Sequence, residues 1–69
     1  MKDIICLRIR ELRIKHNLTQ QQVAKVLGVK KETYGKCERG QKKRISVILL
    51  WKLADFYDES IDYLAGRED

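Results

Sequence analysis

Hydrophobic residues recur at helical spacing along most of the chain, and polar or glycine residues divide the pattern into five segments. The first segment covers residues 3–16, where an apolar stripe is formed by Ile5, Ile9 and Leu12, with Leu7 and Ile14 on adjoining positions. Asp3 is predicted to cap this helix, and Asn17, which tolerates the left-handed conformation, is predicted to end it. The positions predicted to lie around the other side are Arg8, Glu11 and Lys15.

The second and third segments, residues 20–27 and 31–38, are predicted to be short helices joined by a tight turn. Thr19 is a suitable N-cap, since its hydroxyl can accept a hydrogen bond from the free N–H groups that open a helix. The residues predicted to share one buried face are Val23, Ala24, Val26 and Leu27. Gly28 stands where a left-handed residue commonly ends a helix. Two short helices joined by such a turn form a helix-turn-helix.

The second helix of this pair is mostly polar. Tyr34 and Cys37, three residues apart, are predicted to face inward. The residues then predicted to face outward are Lys31, Glu32, Gly35 and Lys36. Long cations with one carboxylate suit the base edges and flanking phosphates of a DNA major groove. A solvated charged helix is the simpler alternative, and the pattern favours nucleic-acid binding over it.

The last two segments, residues 46–57 and 61–65, are predicted to be helices capped by Ser46 and Ser60. One face of the longer helix is predicted to hold Val47, Leu50, Leu53, Ala54 and Tyr57. Apolar character extends round most of this helix, which indicates that it is central to the core or shared with a partner. In the shorter helix, Ile61 and Leu64 are predicted to face inward.

A chain of 69 residues is expected to form one domain, 1–69, near the lower limit for independent folding. It has no room for a large enclosed catalytic pocket, and its single histidine, His16, offers little acid–base chemistry, so we expect no enzyme. Cys6 and Cys37 are expected to be reduced thiols, and no Cys/His spacing resembles a metal motif. We expect no metal and no cofactor. The absence of a long apolar run or a secretory signal predicts a cytoplasmic location.

Charge is distributed unevenly along the chain. Residues 1–44 carry 13 basic and 4 acidic residues, whereas residues 45–69 carry 2 basic and 6 acidic ones. The positive half should attract a polyanion, and the negative half should point away from it. A membrane surface fits less well, because the basic residues lie on several short helices rather than on one amphipathic helix.

Several stretches together resemble the Cro/C1-type helix-turn-helix family, the lambda-repressor-like DNA-binding domains. They are IRELR (9–13), LTQQQVAKVLGV (18–29), ERG (38–40), LWKLADFY (50–57) and SIDYLAGR (60–67). The resemblance covers nearly the whole chain. It implies an all-α fold, a compact five-helix bundle in which helices 2 and 3 form the helix-turn-helix and helix 3 enters the major groove.

The resemblance also implies roles for individual residues. Gln20 and Thr33 would contact phosphates. Lys30 would belong to the DNA-binding surface at the start of the recognition helix, and the base-reading or base-adjacent positions that follow it would be Lys31, Glu32 and Lys36. Arg13 and Glu38 would form a structural salt bridge. The cationic loop after Gly40 is expected to contact phosphates through Lys42 and Lys43.

Three departures from the family pattern bear on the recognition helix. Lys30 stands where a Ser or Thr usually caps helix 3, so that cap is expected to be weak. Cys37 replaces an aromatic residue. Gly35 costs a helix about 0.5–1 kcal/mol relative to Ala; we interpret it as allowing close approach to the DNA backbone or a local adjustment on binding.

These features predict a sequence-specific regulator of transcription, most simply a repressor, that binds double-stranded DNA and has no small-molecule effector site within this chain. The alternative is a protein-interaction module, such as an antitoxin or an adaptor, with secondary DNA binding. Apolar residues at usually polar positions of helix 4 predict a weak symmetric dimer and a palindromic site. The predicted interface consists of Ile48, Leu49, Trp51 and Phe56. In the competing account, helix 4 is rotated and Ile48 is buried within its own chain.

Overall fold

The computed structural model describes residues 4–41 and 45–67, and these form five α-helices and no strand. The helices are α1 (Ile4–Lys15), α2 (Gln20–Leu27), α3 (Lys31–Arg39), α4 (Val47–Tyr57) and α5 (Ile61–Leu64). The expected all-α, five-helix fold is confirmed. Asp3, Lys42 and Lys43, to which the sequence assigned a cap and phosphate contacts, lie outside the described residues.

Local side chains set most helix boundaries. Thr19 caps α2 in a capping box, because its hydroxyl accepts from the Gln22 N–H while the Gln22 side chain accepts from the Thr19 N–H. Ser46 and Ser60 cap α4 and α5 by accepting from the third N–H of each helix. Lys30 precedes α3 in the same extended backbone conformation but makes no such hydrogen bond.

All five helices contribute to one core. Its buried residues are Ile9, Leu12, Val23, Ala24, Leu27, Tyr34, Cys37, Leu53, Ala54, Tyr57 and Leu64. The α2 and α3 helices pack most extensively against each other, and α1 crosses both α3 and α5. Because α2 and α3 share the core with three further helices, the outer side of α3 is held in a fixed orientation.

Several burial predictions were wrong. Val26, Val47 and Ile61 were expected to face inward, but they are 49%, 75% and 37% exposed. Val47 and Ile61 are the first residues of α4 and α5, and Val26 is the last residue but one of α2, so each lies at a helix end. Arg8 was expected on the outer side of α1, yet it is half-buried, donates a hydrogen bond to the Tyr63 carbonyl and lies over the Tyr63 ring. This contact ties α1 to α5.

Candidate nucleic-acid interface

The turn between α2 and α3 sets the angle at which α3 is presented. Gly28 adopts a left-handed conformation with φ of 75°, and its N–H bonds to the Lys25 carbonyl at 3.2 Å. The Val29 N–H returns to the Ala24 carbonyl at 3.0 Å, which closes the end of α2. Ala24 is buried between the two helices, and its small side chain lets α3 cross close to α2. This is the geometry of a helix-turn-helix.

The recognition helix α3 has one side in the core and the other in solvent. Tyr34 and Cys37 are 0% and 3% exposed, as expected from their spacing. Lys31, Glu32 and Lys36 are exposed, as is Lys30 immediately before the helix, and Thr33 is half-buried. With Lys30, these residues offer three cations and one carboxylate, and exposed Arg39 in the last turn of α3 adds a fourth cation.

Gly35 does not face outward as predicted, because it is buried. A Cβ atom at residue 35 would lie 3.0 Å from Arg39 Nη1 and 3.5 Å from Gln20 Oε1. The Arg39 side chain folds back along α3 over the glycine, and the Gln20 side chain comes close to it from α2. The absence of a side chain at Gly35 thus leaves space for the guanidinium group of Arg39 in the same helix.

Arg13 and Glu38 form the ion pair that joins α1 to α3. Arg13 Nε lies 2.6 Å from Glu38 Oε2, and Arg13 Nη2 lies 3.2 Å from Oε1. Arg13 Nη1 also donates to the Leu18 carbonyl at 2.9 Å, just before the α2 cap. The side chains are 15% and 3% exposed. A paired, almost fully buried carboxylate of this kind acts as a scaffold for the interface.

Gln20 takes part in the same network. Its Nε2 donates to Glu38 Oε1 at 3.1 Å, so the first residue of α2 is attached to the last turn of α3. Burial alone raises the pKa of the Glu38 carboxyl, but the hydrogen bonds from Arg13 and Gln20, together with the nearby Tyr34 hydroxyl, outweigh it and hold that pKa below its ordinary value. Glu38 is therefore an anion in the folded protein at neutral pH.

The Tyr34 hydroxyl is buried beside this carboxylate. It lies near enough to lower the pKa of Glu38, although its geometry falls short of a normal hydrogen bond. Burial, followed by the Glu38 negative charge, raises the pKa of Tyr34 far above its ordinary value. The ring consequently stays neutral and anchors the inner side of α3.

Two surface pockets flank α3. One has a volume of about 380 Å³ and is lined by Arg10, Arg13, Gln20, Glu38 and Arg39. The other, about 470 Å³, lies at the α2–α3 turn and includes Lys25, Lys30, Lys31 and Glu32 in its lining. Both are rich in cations, and both border the exposed side of the recognition helix.

The sequence prediction missed Arg10, Arg39 and Lys25 as candidates for this surface. Arg10 is three residues before Arg13 on α1, and Arg39 is four residues after Gly35 on α3, so helical spacing places each beside a residue already singled out. Lys25 lies one turn beyond Gln21 on α2. Helical spacing from assigned residues could therefore have found Arg10 and Arg39, but not Lys25, because Gln21 had not been assigned a role.

The described part of the chain offers neither a metal-ligand cluster nor a helix suited to a membrane. Residues 4–41 and 45–67 contain no cluster of three or more His, Cys, Asp or Glu side chains that could hold a metal ion. Over the same ranges, none of the helices combines the length and the apolar character that crossing a membrane requires.

The comparisons with known proteins agree with this geometry. A family model described as helix-turn-helix matches residues 9–64. The chain belongs to this helix-turn-helix family. YobD of Bacillus subtilis, an HTH-type transcriptional regulator, is 41% identical over 64 residues, which cover 93% of this chain and 56% of YobD. AnsR of the same organism, another HTH-type transcriptional regulator, is 44% identical over 61 residues, covering 88% and 52%.

A solved structure extends the comparison to a protein bound to an operator. The P22 c2 repressor, in complex with synthetic operator 9T, superposes with a TM-score of 0.83 at 25% identity, covering 97% of this chain and 100% of the repressor chain. The lambda-repressor-like fold expected from the sequence is confirmed. The chain spans about half the length of the curated relatives YobD and AnsR.

Proposed function

We propose that this chain is the DNA-binding part of a transcriptional regulator and that it reads double-stranded DNA with the exposed side of α3. The observation that carries the proposal is the placement of Lys31, Glu32 and Lys36 in solvent on a helix whose other side is fixed by buried Tyr34 and Cys37. A major groove accepts one α-helix, and rigid anchoring lets that helix discriminate between base edges.

The proposal assigns distinct roles along this surface. Lys31 and Lys36 donate to guanine or to nearby phosphates, and Glu32 accepts from a cytosine amino group. Lys30 and Thr33 contact the backbone beside them. Gln20 has one amide N–H left after its bond to Glu38, and this N–H is directed to a phosphate. Such contacts fix the register of α3 on the duplex.

Repression is the mode of regulation that we propose, through occupation of a promoter. It is supported by similarity to the P22 c2 repressor. Catalysis is not part of the proposal, because the relatives are transcriptional regulators. A regulator of this kind acts in the cytoplasm, where its DNA is.

We also propose that the chain binds as a weak homodimer to a palindromic site. The specific observation in favour is a group of apolar side chains at the start of α4: Val47, Ile48 and Trp51 are each more than 60% exposed. An antitoxin or adaptor role would use the same surface for a different protein. We favour a second copy of this chain as the partner at this surface, since operators and their regulators commonly share two-fold symmetry.

The experiment that tests the reading helix starts with selection of bound sites from random duplexes. Lys31→Ala and Lys36→Ala should each weaken binding to the selected site by about 1–3 kcal/mol and relax the preference at one base pair. Lys15→Ala, an exposed cation in the last turn of α1, is the matched control and should leave the preference unchanged. If the two α3 variants keep the wild-type preference at every position, α3 is not the reading helix.

A further inference from the structure

The first pocket beside α3 contains three arginines but one carboxylate. Its lining consists of Arg10, Arg13, Gln20, Glu38 and Arg39. Glu38 is its only carboxylate, and that carboxylate is already held by Arg13 at 2.6 Å and by Gln20 at 3.1 Å. In the described part of the chain, neither Arg10 nor Arg39 forms an ion pair. Among residues 4–41 and 45–67, these two guanidinium groups therefore have no counter-charge.

Arg39 is exposed, but two contacts restrain its side chain beside this pocket. Its Nε donates to Gln41 Oε1 at 3.2 Å, and its Nη1 lies over Gly35, within 3.0 Å of where a Cβ atom would be. Both interactions reduce the number of rotamers that the long side chain samples. A guanidinium group that is positioned before binding loses less entropy when an anion arrives.

The pocket is continuous with the side of α3 that reads DNA. A smaller pocket of about 230 Å³ shares Gln20 and Arg39 with it and is otherwise lined by Lys31, Glu32 and Gly35. An anion between Arg10 and Arg39 would thus lie beside the proposed base-reading residues, on the flank formed by α1 and the start of α2. This is where a backbone strand borders a groove occupied by a helix.

We propose that Arg10 and Arg39 together bind one phosphodiester group of the DNA backbone, and that Gly35 is a positioning residue for Arg39. The inference rests on the proposed DNA-binding function and adds residues from α1 and the end of α3 to it. Arg13 is excluded as a principal ligand because Glu38 neutralises it. Planar guanidinium groups suit a phosphate because each donates two parallel N–H bonds to its oxygens.

The first test measures affinity for the selected duplex as a function of salt. Arg10→Gln and Arg39→Gln should each weaken binding about tenfold, equally on selected and random duplexes, because a phosphate carries no sequence information. If both arginines hold one phosphate, the double variant should lower the salt slope by about 0.9, whereas two separate phosphates would lower it by about 1.8. Arg67→Gln removes the same charge from an exposed position in the acidic half and should leave the slope unchanged.

A second test locates the phosphate on the DNA. Duplexes are prepared with one neutral methylphosphonate at a time, and each is titrated with the wild type and with the double variant. At one position per half-site, the methylphosphonate should weaken DNA binding by the wild type but not by the double variant, because the double variant has already lost the contact to that phosphate. If every neutralised position weakens both proteins equally, the two arginines do not bind a shared phosphate and the proposal is overturned.

Gly35→Ala tests the positioning role. The added methyl group would lie 3.0 Å from Arg39 Nη1, so the guanidinium must shift by a few tenths of an ångström. Binding should therefore weaken, but by less than in Arg39→Gln, while the melting temperature stays the same or rises because Ala favours helix. In the Arg39→Gln background, Gly35→Ala should have no further effect. A further loss in that background would show that Gly35 acts by approaching the DNA directly, which overturns the positioning role.

These outcomes separate the two proposals. Wild-type binding to a selected duplex with unchanged affinity and salt slope in the double variant overturns the phosphate site alone. A wild type without any preferred duplex overturns both the proposed function and this site.

Discussion

At the residue scale, Glu38 connects the three helices that build the interface. Its carboxylate accepts from Arg13 of α1 and from Gln20 of α2 while it belongs to α3 itself. Only 3% of its side chain is exposed, so water cannot replace a lost partner. Removing either side of a buried ion pair leaves an uncompensated charge, and this costs more than the net contribution of the intact pair.

Glu38→Gln is therefore expected to lower the free energy of unfolding at neutral pH by about 3 kcal/mol, because Arg13 loses its counter-charge but keeps some contact with solvent. The effect should depend on pH. The pKa of Glu38 is lower in the folded than in the unfolded chain, so its contribution is complete above the ordinary value of 4.5 and is lost as pH falls through the folded pKa. The difference between wild type and variant should shrink over that acidic range.

Denaturant unfolding at a series of pH values measures this difference. Glu32→Gln, an exposed acid on the same helix, is the control for loss of one carboxylate. Equal stability of the wild type and Glu38→Gln at neutral pH would show that the ion pair does not hold the scaffold together.

At the scale of the elements, the sequence predicted what depends on neighbours along the chain. The caps at Thr19, Ser46 and Ser60 were predicted correctly because a cap needs only one side chain and the N–H groups of the next turn. The left-handed Gly28 and Asn17 follow from equally local rules. These features settled the number and order of the helices.

What the sequence did not predict depends on contacts between elements. Burial of Gly35 could not be read from helical spacing, because it results from Arg39 folding back and from Gln20 approaching out of α2. The pairing of Arg13 with Glu38, which are 25 residues apart, came from the family resemblance and not from any local pattern. Helical spacing from Arg13 could have singled out Arg10, but the pocket that Arg10 shares with Arg39 depends on how α1 packs against α3.

The start of α3 offers a prediction about capping. Lys30 has φ of −72° and ψ of 150°, close to the values at the capping residues Thr19 and Ser60, but it makes no side-chain cap. Lys30→Ser should raise the free energy of unfolding by about 1 kcal/mol through a new cap on the Thr33 N–H. It should also weaken DNA binding, since a cation beside the groove is lost.

Lys30→Gln separates capping from charge. It removes the cation, which is unfavourable at a helix start, without adding a good cap. Thermal or denaturant unfolding of both variants should therefore place Lys30→Ser above Lys30→Gln in stability. If the two are equally stable, the gain comes from the lost charge and the backbone at residue 30 does not accept a serine cap.

At the scale of the whole molecule, the start of α4 has an exposed apolar patch. Val47, Ile48 and Trp51 are 75%, 64% and 66% exposed, and their spacing puts them on one side of the helix. Two members of the predicted interface are placed differently. Leu49 is half-buried against the core, and Phe56 lies at the other end of α4, edge-on to Tyr57 with ring centroids 5.0 Å apart. The competing account, in which Ile48 is buried in its own chain, is wrong.

We expect this smaller patch, Val47, Ile48 and Trp51, to form the proposed two-fold contact. So few side chains bury less area than a stable dimer needs, so assembly should be weak in solution and favoured when two chains bind adjacent half-sites. Sedimentation of the wild type should show self-association that rises with concentration. Ile48→Glu with Trp51→Glu should abolish it and leave the fold intact, because both side chains are exposed.

The matched control is Ile14→Glu, which places a charge on an exposed apolar position of α1, and it should leave self-association unchanged. On DNA, half-site centres about 10–10.5 base pairs apart should bind two wild-type chains cooperatively, because this spacing puts both half-sites on one face of the duplex. Inserting half a helical turn between them should remove the cooperativity, as should the double Glu variant on the unaltered site. If the wild type stays monomeric at high concentration and binds both spacings equally, α4 does not mediate a dimer, and its apolar patch belongs to a contact with a different protein.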